Sequence, residues 1–133
     1  MALDYGSARC GVAISDPTGV LARPLDPVLR PAGRDGRRRL LELVAELGVE
    51  RVVVGLPLSL SGEDSEQTRE VRRFTAGLAR VLGPIPVELY DERFTTVLAQ
   101  RDVTDGGRVP RSSEDSRAAA HLLSGWLERH ARD

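Results

Sequence analysis

Lysine is absent: all 19 basic residues are arginine. Guanidinium groups suit bidentate phosphate contacts, but a GC-rich genome produces the same bias and is the simpler reading. Cysteine occurs once, at Cys10, which excludes a disulfide framework and a cysteine-based zinc site within the chain. No apolar run approaches the length that spans a membrane, and Asp4 and Arg9 interrupt the start where a signal peptide would lie. A cytoplasmic address is therefore expected. An excess of one charge is lacking too, since the net charge is −1; the balance does not advertise a nucleic-acid binder, yet it can conceal a local patch that attracts phosphate. At 133 residues the chain is expected to form one domain, 1–133, with a real core and no room for two full lobes.

What is there alternates between strand and helix signals. Short strands are expected at Met1 to Asp4, Cys10 to Ser15 and Leu25 to Leu29, with a turn at Asp16-Pro17-Thr18-Gly19. A helix through Leu40, Leu41, Val44 and Leu47 stops near Gly48, and its early arginines Arg37, Arg38 and Arg39 read first as a solvated face, with phosphate contact as the second reading. Val52, Val53 and Val54 form the continuous apolar run of a parallel strand covered on both faces. Asp64 with Gln67 suits a capping box for a helix through Val71, Phe74, Leu78 and Val81, which Gly83-Pro84 ends. Val87 to Tyr90 is another strand. Thr95 or Thr96 caps a short helix to about Val103, Asp105 to Ser113 is a loop, and Ser112 or Ser113 caps the last helix. The order implies an α/β fold: an antiparallel three-strand meander, then a parallel β-α-β-α-β run, in one mixed five-stranded sheet flanked by helices.

Asp115 is the anomaly in this pattern. Offsets of four, seven and eleven residues place it on one helix stripe with Ala119, Leu122 and Trp126, and a carboxylate turned toward a core needs a partner. Asp4 ends the first strand and Asp91 and Glu92 end the last, at the edge where open α/β sheets hold ligands. Separated acids converging there repel one another without cations, and convergent carboxylate oxygens suit Mg²⁺ or Mn²⁺. Singly, each acid also fits a structural role: a turn former, a partner for Arg93, or an acid favoured at a helix start. His121 and His130 have no second ligand at metal spacing, Cys10 packs, and Trp126 anchors the last helix.

Four segments together resemble the YqgF or RuvX family, which is RNase H-like and related to Holliday-junction resolvases. Asp4-Tyr5-Gly6-Ser7-Ala8-Arg9-Cys10-Gly11-Val12-Ala13-Ile14-Ser15-Asp16 resembles its opening motif, and Val54-Gly55-Leu56-Pro57-Leu58 with Gly62 and Gln67-Thr68 its second. Tyr90-Asp91-Glu92-Arg93-Phe94-Thr95-Thr96 resembles the third, and Asp115-Ser116-Arg117-Ala118-Ala119 the last. The resemblance implies an RNase H-like fold and a metal-dependent nuclease with Asp4, Glu92 and Asp115 as catalytic, metal-holding acids around two Mg²⁺ or Mn²⁺ ions. It also implies that Arg9 and Arg93 touch the nucleic-acid backbone or hold the acids, with Arg108 and Arg111 as further nucleic-acid contacts. The expected substrate is precursor 16S rRNA, matured at its 5′ end during ribosome biogenesis, free or within a pre-ribosomal particle. Branched DNA is the alternative, and a catalytically idle nucleic-acid-binding module of ribosome assembly is a third reading. Sugar-kinase and actin-like ATPases share an Asp-x-Gly opening but need two lobes. Two departures from the family pattern stand out. Only three residues precede Asp4, so the first strand is expected to be clipped, and Arg108 and Arg111 make a thin basic flank, which weakens phosphate binding.

Overall fold

The computed structural model describes residues 1–94 and 114–130. Strands β1 (Ala2–Asp4), β2 (Arg9–Ser15), β3 (Ala22–Leu29), β4 (Val52–Leu56) and β5 (Val87–Asp91) form one sheet in the order β3-β2-β1-β4-β5. The β1–β2 and β2–β3 ladders are antiparallel, and β1–β4 and β4–β5 are parallel, as the alternation of elements implied. The third strand starts at Ala22, earlier than its expected start at Leu25. Pro24 and Pro27 disguise it; β3 is an edge strand, where a residue without an N–H donor is tolerated. The central strand β1 is short, at three residues against seven in β2.

Helices α1 (Arg34–Glu46), α2 (Glu66–Leu82) and α3 (Glu114–His130) flank the sheet, and a single 3-10 turn at Glu92–Phe94 follows β5. The helix expected from Thr95 or Thr96, the loop from Asp105 and the cap at Ser112 or Ser113 lie outside the described residues. The α2 capping box sits one residue later than expected. Ser65 Oγ accepts from the Thr68 amide and Thr68 Oγ1 from the Ser65 amide, both at 3.1 Å. Asp64 instead pairs with Arg72 at 2.8 Å. Thr68 also donates to the Pro57 carbonyl and is fully buried, so the cap ties the start of α2 to the end of β4.

Two cores follow from the period of two along the strands. Leu3, Val12, Val52 and Val54 face α1 and α2, where Leu40, Val71, Phe74 and Leu78 complete a layer of large side chains. Ala2, Ala13, Ala22 and Val53 face the other way, against Ala119, Ala120, Leu122 and Leu123 of α3. Small residues on both sides of this second interface let α3 lie close to the sheet. At the end of α2, Leu82 is buried and Val81 is 46% exposed, where the apolar face was expected to include Val81.

Candidate active site

Strands β1, β4 and β5 end at one edge of the sheet, where β2 begins and β3 ends. Asp4 pairs with Gly11 across the β1–β2 ladder, so the two share a face, the one covered by α3. A Cβ on Gly11 would collide with the Asp115 carbonyl. The backbone of α3 thus crosses β2 directly over that glycine. Ser116, fully buried, fixes the crossing: its Oγ accepts from the Val12 amide at 3.0 Å, beside the register shift between Cys10 and Val12. Gly55 on β4 does the same for the third acid, since a Cβ there would lie 2.7 Å from Glu92 Oε1 and 3.0 Å from Leu122 Cδ2. Glycine, aspartate and glycine therefore stand in a row across β2, β1 and β4, with Asp115 carried over one end and the Glu92 carboxylate over the other.

Asp4 and Glu92 line a cleft of about 240 Å³ together with Ala118, His121 and Leu122. Burial pushes the Asp4 carboxyl up to about 6, and the charge of Asp115 adds to the rise. Burial likewise raises Glu92, followed by the charges of Asp4 and Asp91. Each of these acids lies within electrostatic reach of another. Among the described residues, no three His, Cys, Asp or Glu side chains are gathered tightly enough to cage one metal ion. The donor chemistry nonetheless fits a hard divalent cation: carboxylate oxygens alone, half-buried and mutually repelling. A larger cavity, about 690 Å³, opens elsewhere, lined by Ile14, Asp16, Arg51 and Trp126 and by none of these acids.

Asp91 has a different fate from Glu92. Its carboxylate accepts from Arg93 Nε at 3.0 Å and Arg93 Nη2 at 2.7 Å, and that pairing holds it below the usual carboxylate range. Arg93 also donates to the Ser59 carbonyl at 3.4 Å, so it ties the loop after β4 to the end of β5. Arg9 Nε lies 3.8 Å from Asp115 Oδ2, with both side chains about half exposed. The core-facing acid is thereby resolved. Ala119 and Leu122 are buried and Trp126 donates to Glu88 at 2.8 Å, but Asp115 lies where the stripe runs out at the sheet edge, 45% exposed and beside an arginine. Arg108 and Arg111 lie outside the described residues. Sequence reasoning passed over Gly11, Gly55, Ser116 and His121 as parts of a site. The first three sit inside the quoted motifs, next to or between the acids; His121 stands on the cleft wall one position before Leu122, which the helix stripe had already marked.

The sequence matches, over residues 1–129, the model of a family described as RuvX, Holliday junction resolvase. A protein of Mycobacteroides abscessus named "Putative pre-16S rRNA nuclease" is 41% identical, over 99% of this chain and 82% of that protein. A protein of the same name from Streptomyces coelicolor is 46% identical, over 96% of this chain and 78% of that one. Among solved structures, Thermus thermophilus RuvC aligns with a TM-score of 0.58 over 98% of this chain and 94% of that chain, at 18% identity. Its complex with a Holliday junction substrate aligns at 0.57, over 98% and 93%, with 16% identity. These last two share the fold.

Proposed function

The chain belongs to the RuvX family, and from that membership we propose a metal-dependent endonuclease that hydrolyses phosphodiester bonds in precursor 16S rRNA during 5′-end maturation. One observation carries the assignment of residues: Asp4 and Glu92 open into one cleft while Asp115, held over Gly11, is near enough for its charge to act on Asp4. Asp4, Glu92 and Asp115 would hold Mg²⁺ or Mn²⁺, two ions in the fullest arrangement. When bound, such cations supply Lewis-acid charge that offsets the acids and activates water for attack on phosphorus.

The chain's own residues do the rest. Gly11 and Gly55 let the α3 backbone and the Glu92 carboxylate lie directly on the sheet, which brings Asp115 and Glu92 in beside Asp4. Arg93 removes Asp91 from the competition for cations by pairing with it. Arg9 is paired loosely, at 3.8 Å, and an arriving phosphate exchanges readily for Asp115 as its partner. Cleavage of a precursor-16S fragment with Mg²⁺ or Mn²⁺ tests the assignment. Asp4→Asn, Glu92→Gln and Asp115→Asn are each expected to lower the rate about a hundredfold or more; unchanged rates in Asp4→Asn or Asp115→Asn would remove those residues from the mechanism.

Branched DNA is the second reading, favoured by the family's description and the shared fold with RuvC. Symmetric cleavage of a junction requires a two-fold dimer. A strict monomer by light scattering, with cleavage confined to RNA, would exclude it.

A further inference from the structure

Strand β3 brings the chain back to the same edge of the sheet as Asp4. Arg9 pairs with Leu29 in the β2–β3 ladder, and the next residue, Arg30, donates its amide to the Ala8 carbonyl at 2.9 Å. Arg30 is thereby fixed beside the turn that carries Arg9. Among the described residues it is also the one non-glycine with positive φ, at 46°. That conformation is imposed from three sides: the bond to Ala8, the Gly33 amide donating to the Arg30 carbonyl at 2.9 Å, and Gly36, where a Cβ would collide with that same carbonyl. Glycine would adopt it without strain, and an arginine there carries a steric penalty. The side chain is exposed and packs into no core.

The ion pairs of α1 sharpen the contrast. Arg38 pairs with Asp35 at 3.9 Å, and Arg39 with Glu42 at 3.3 Å and Glu46 at 3.8 Å. Arg30 and Arg34 have no carboxylate partner among the described residues, and both are exposed. Arg37 and, farther off, Arg23 and Arg80 likewise lack one; what distinguishes Arg30 and Arg34 is that they follow β3 directly at the edge where Arg9 begins β2. At the start of α1, Gly33 provides no side-chain cap, so the first-turn amides add to the positive field.

We propose that Arg30 and Arg34, continuing from Arg9, form a ridge that binds the phosphate backbone of structured RNA as it leaves the acidic cleft across the β2–β3 edge. This rests on the nuclease reading above. It accounts for an arginine held in a conformation that suits glycine, and it supplies positive charge beside an acidic cleft in a chain whose net charge is −1. The anomaly also provides the test, because Arg30→Gly removes the cation while relieving the backbone.

Binding of a fluorescein-labelled precursor-16S hairpin, followed by anisotropy in chelator across about 50 to 300 mM salt, reads the ridge directly. Arg30→Gly is expected to melt at the same temperature as the unmodified protein or higher, yet bind about 3- to 10-fold more weakly, with a log K against log salt slope shallower by about 0.7 to 0.9. Arg34→Ala should shift the slope likewise, the double variant about twice as far, and Arg30→Lys little. Arg80→Ala, at the far end of α2, controls for loss of any one charge and should leave the slope unchanged. If the unmodified protein cleaves and binds the hairpin while Arg30→Gly and Arg34→Ala match its affinity and slope, the ridge is wrong and the nuclease reading stands. If the unmodified protein neither binds nor cleaves the hairpin, both fall. A slope change seen only with a four-way DNA junction would overturn RNA as the ligand.

Discussion

At Asp4, folding and chemistry pull in opposite directions. Burial and the nearby charge of Asp115 lift its carboxyl to about 6, above the 3.8 of an unperturbed aspartate. The folded chain therefore holds the Asp4 proton more tightly than the unfolded chain does. Its stabilising contribution is complete below about pH 4 and is lost as pH rises through about 6. At pH 7.5 without cations the ionised group opposes folding, by on the order of 2 kcal/mol after allowance for its partial exposure. Asp4→Asn is thus expected to raise the melting temperature in chelator at pH 7.5 and to change it little at pH 4, as thermal melts followed by circular dichroism would register. An equal melting temperature at pH 7.5 would mean that the charge is already compensated. Glu92 is raised by burial first and then by the charges of Asp4 and Asp91, whereas Asp91, one residue earlier, is held down by Arg93. Adjacent acids in one motif differ because a single guanidinium takes one of them.

Among the elements, α3 bears on the site most directly because it carries one acid to a sheet edge where β1 ends in Asp4 and β5 leads into Glu92. Its position depends on a buried bond between Ser116 Oγ and the amide of Val12. Ser116→Ala leaves that amide without a partner and is expected to cost about 1 to 3 kcal/mol of stability. Because Asp115 is the preceding residue, the variant is also expected to lower kcat more than it weakens RNA binding, which single-turnover cleavage set beside anisotropy would separate. Equal losses in both would assign Ser116 a purely structural part. Elements of this kind were legible in the sequence as far as periodicity reaches. The valine run at Val52 to Val54 announced a strand covered on both faces, Gly48 and Gly83 marked helix ends, and the order of elements implied the mixed sheet. The α2 cap was misplaced by one residue because Asp64 and Ser65 are both competent caps, and the pairing of Asp64 with Arg72 decides between them. The acids could be picked out from strand ends and from the family resemblance. The positive φ of Arg30 and the glycines beneath Asp115 and Glu92 could not, since they depend on which backbone passes over which, a tertiary fact that no local spacing encodes.

For the whole molecule, the proposed cations link function to stability. An ion that binds only the folded chain adds about 2.7 kcal/mol at a hundred times its Kd. Mg²⁺ is therefore expected to raise the melting temperature of the unmodified protein and to leave that of a variant carrying Asp4→Asn, Glu92→Gln and Asp115→Asn unmoved; an equal rise in both would place the ion elsewhere. The division of the acids between sheet and helix also has a consequence in time. The sheet that carries Asp4, and leads into Glu92, is complete in sequence at Asp91, while α3 follows as Glu114–His130. At about 5 to 20 residues per second, roughly 2 to 8 s separate the synthesis of Asp91 from that of His130. The chain made by the start of that interval contains Asp4 but not the helix whose backbone will lie over Gly11. The proposed site therefore cannot be assembled from the sheet alone: Asp115 comes near Asp4 only when α3, the last described element, docks over Gly11.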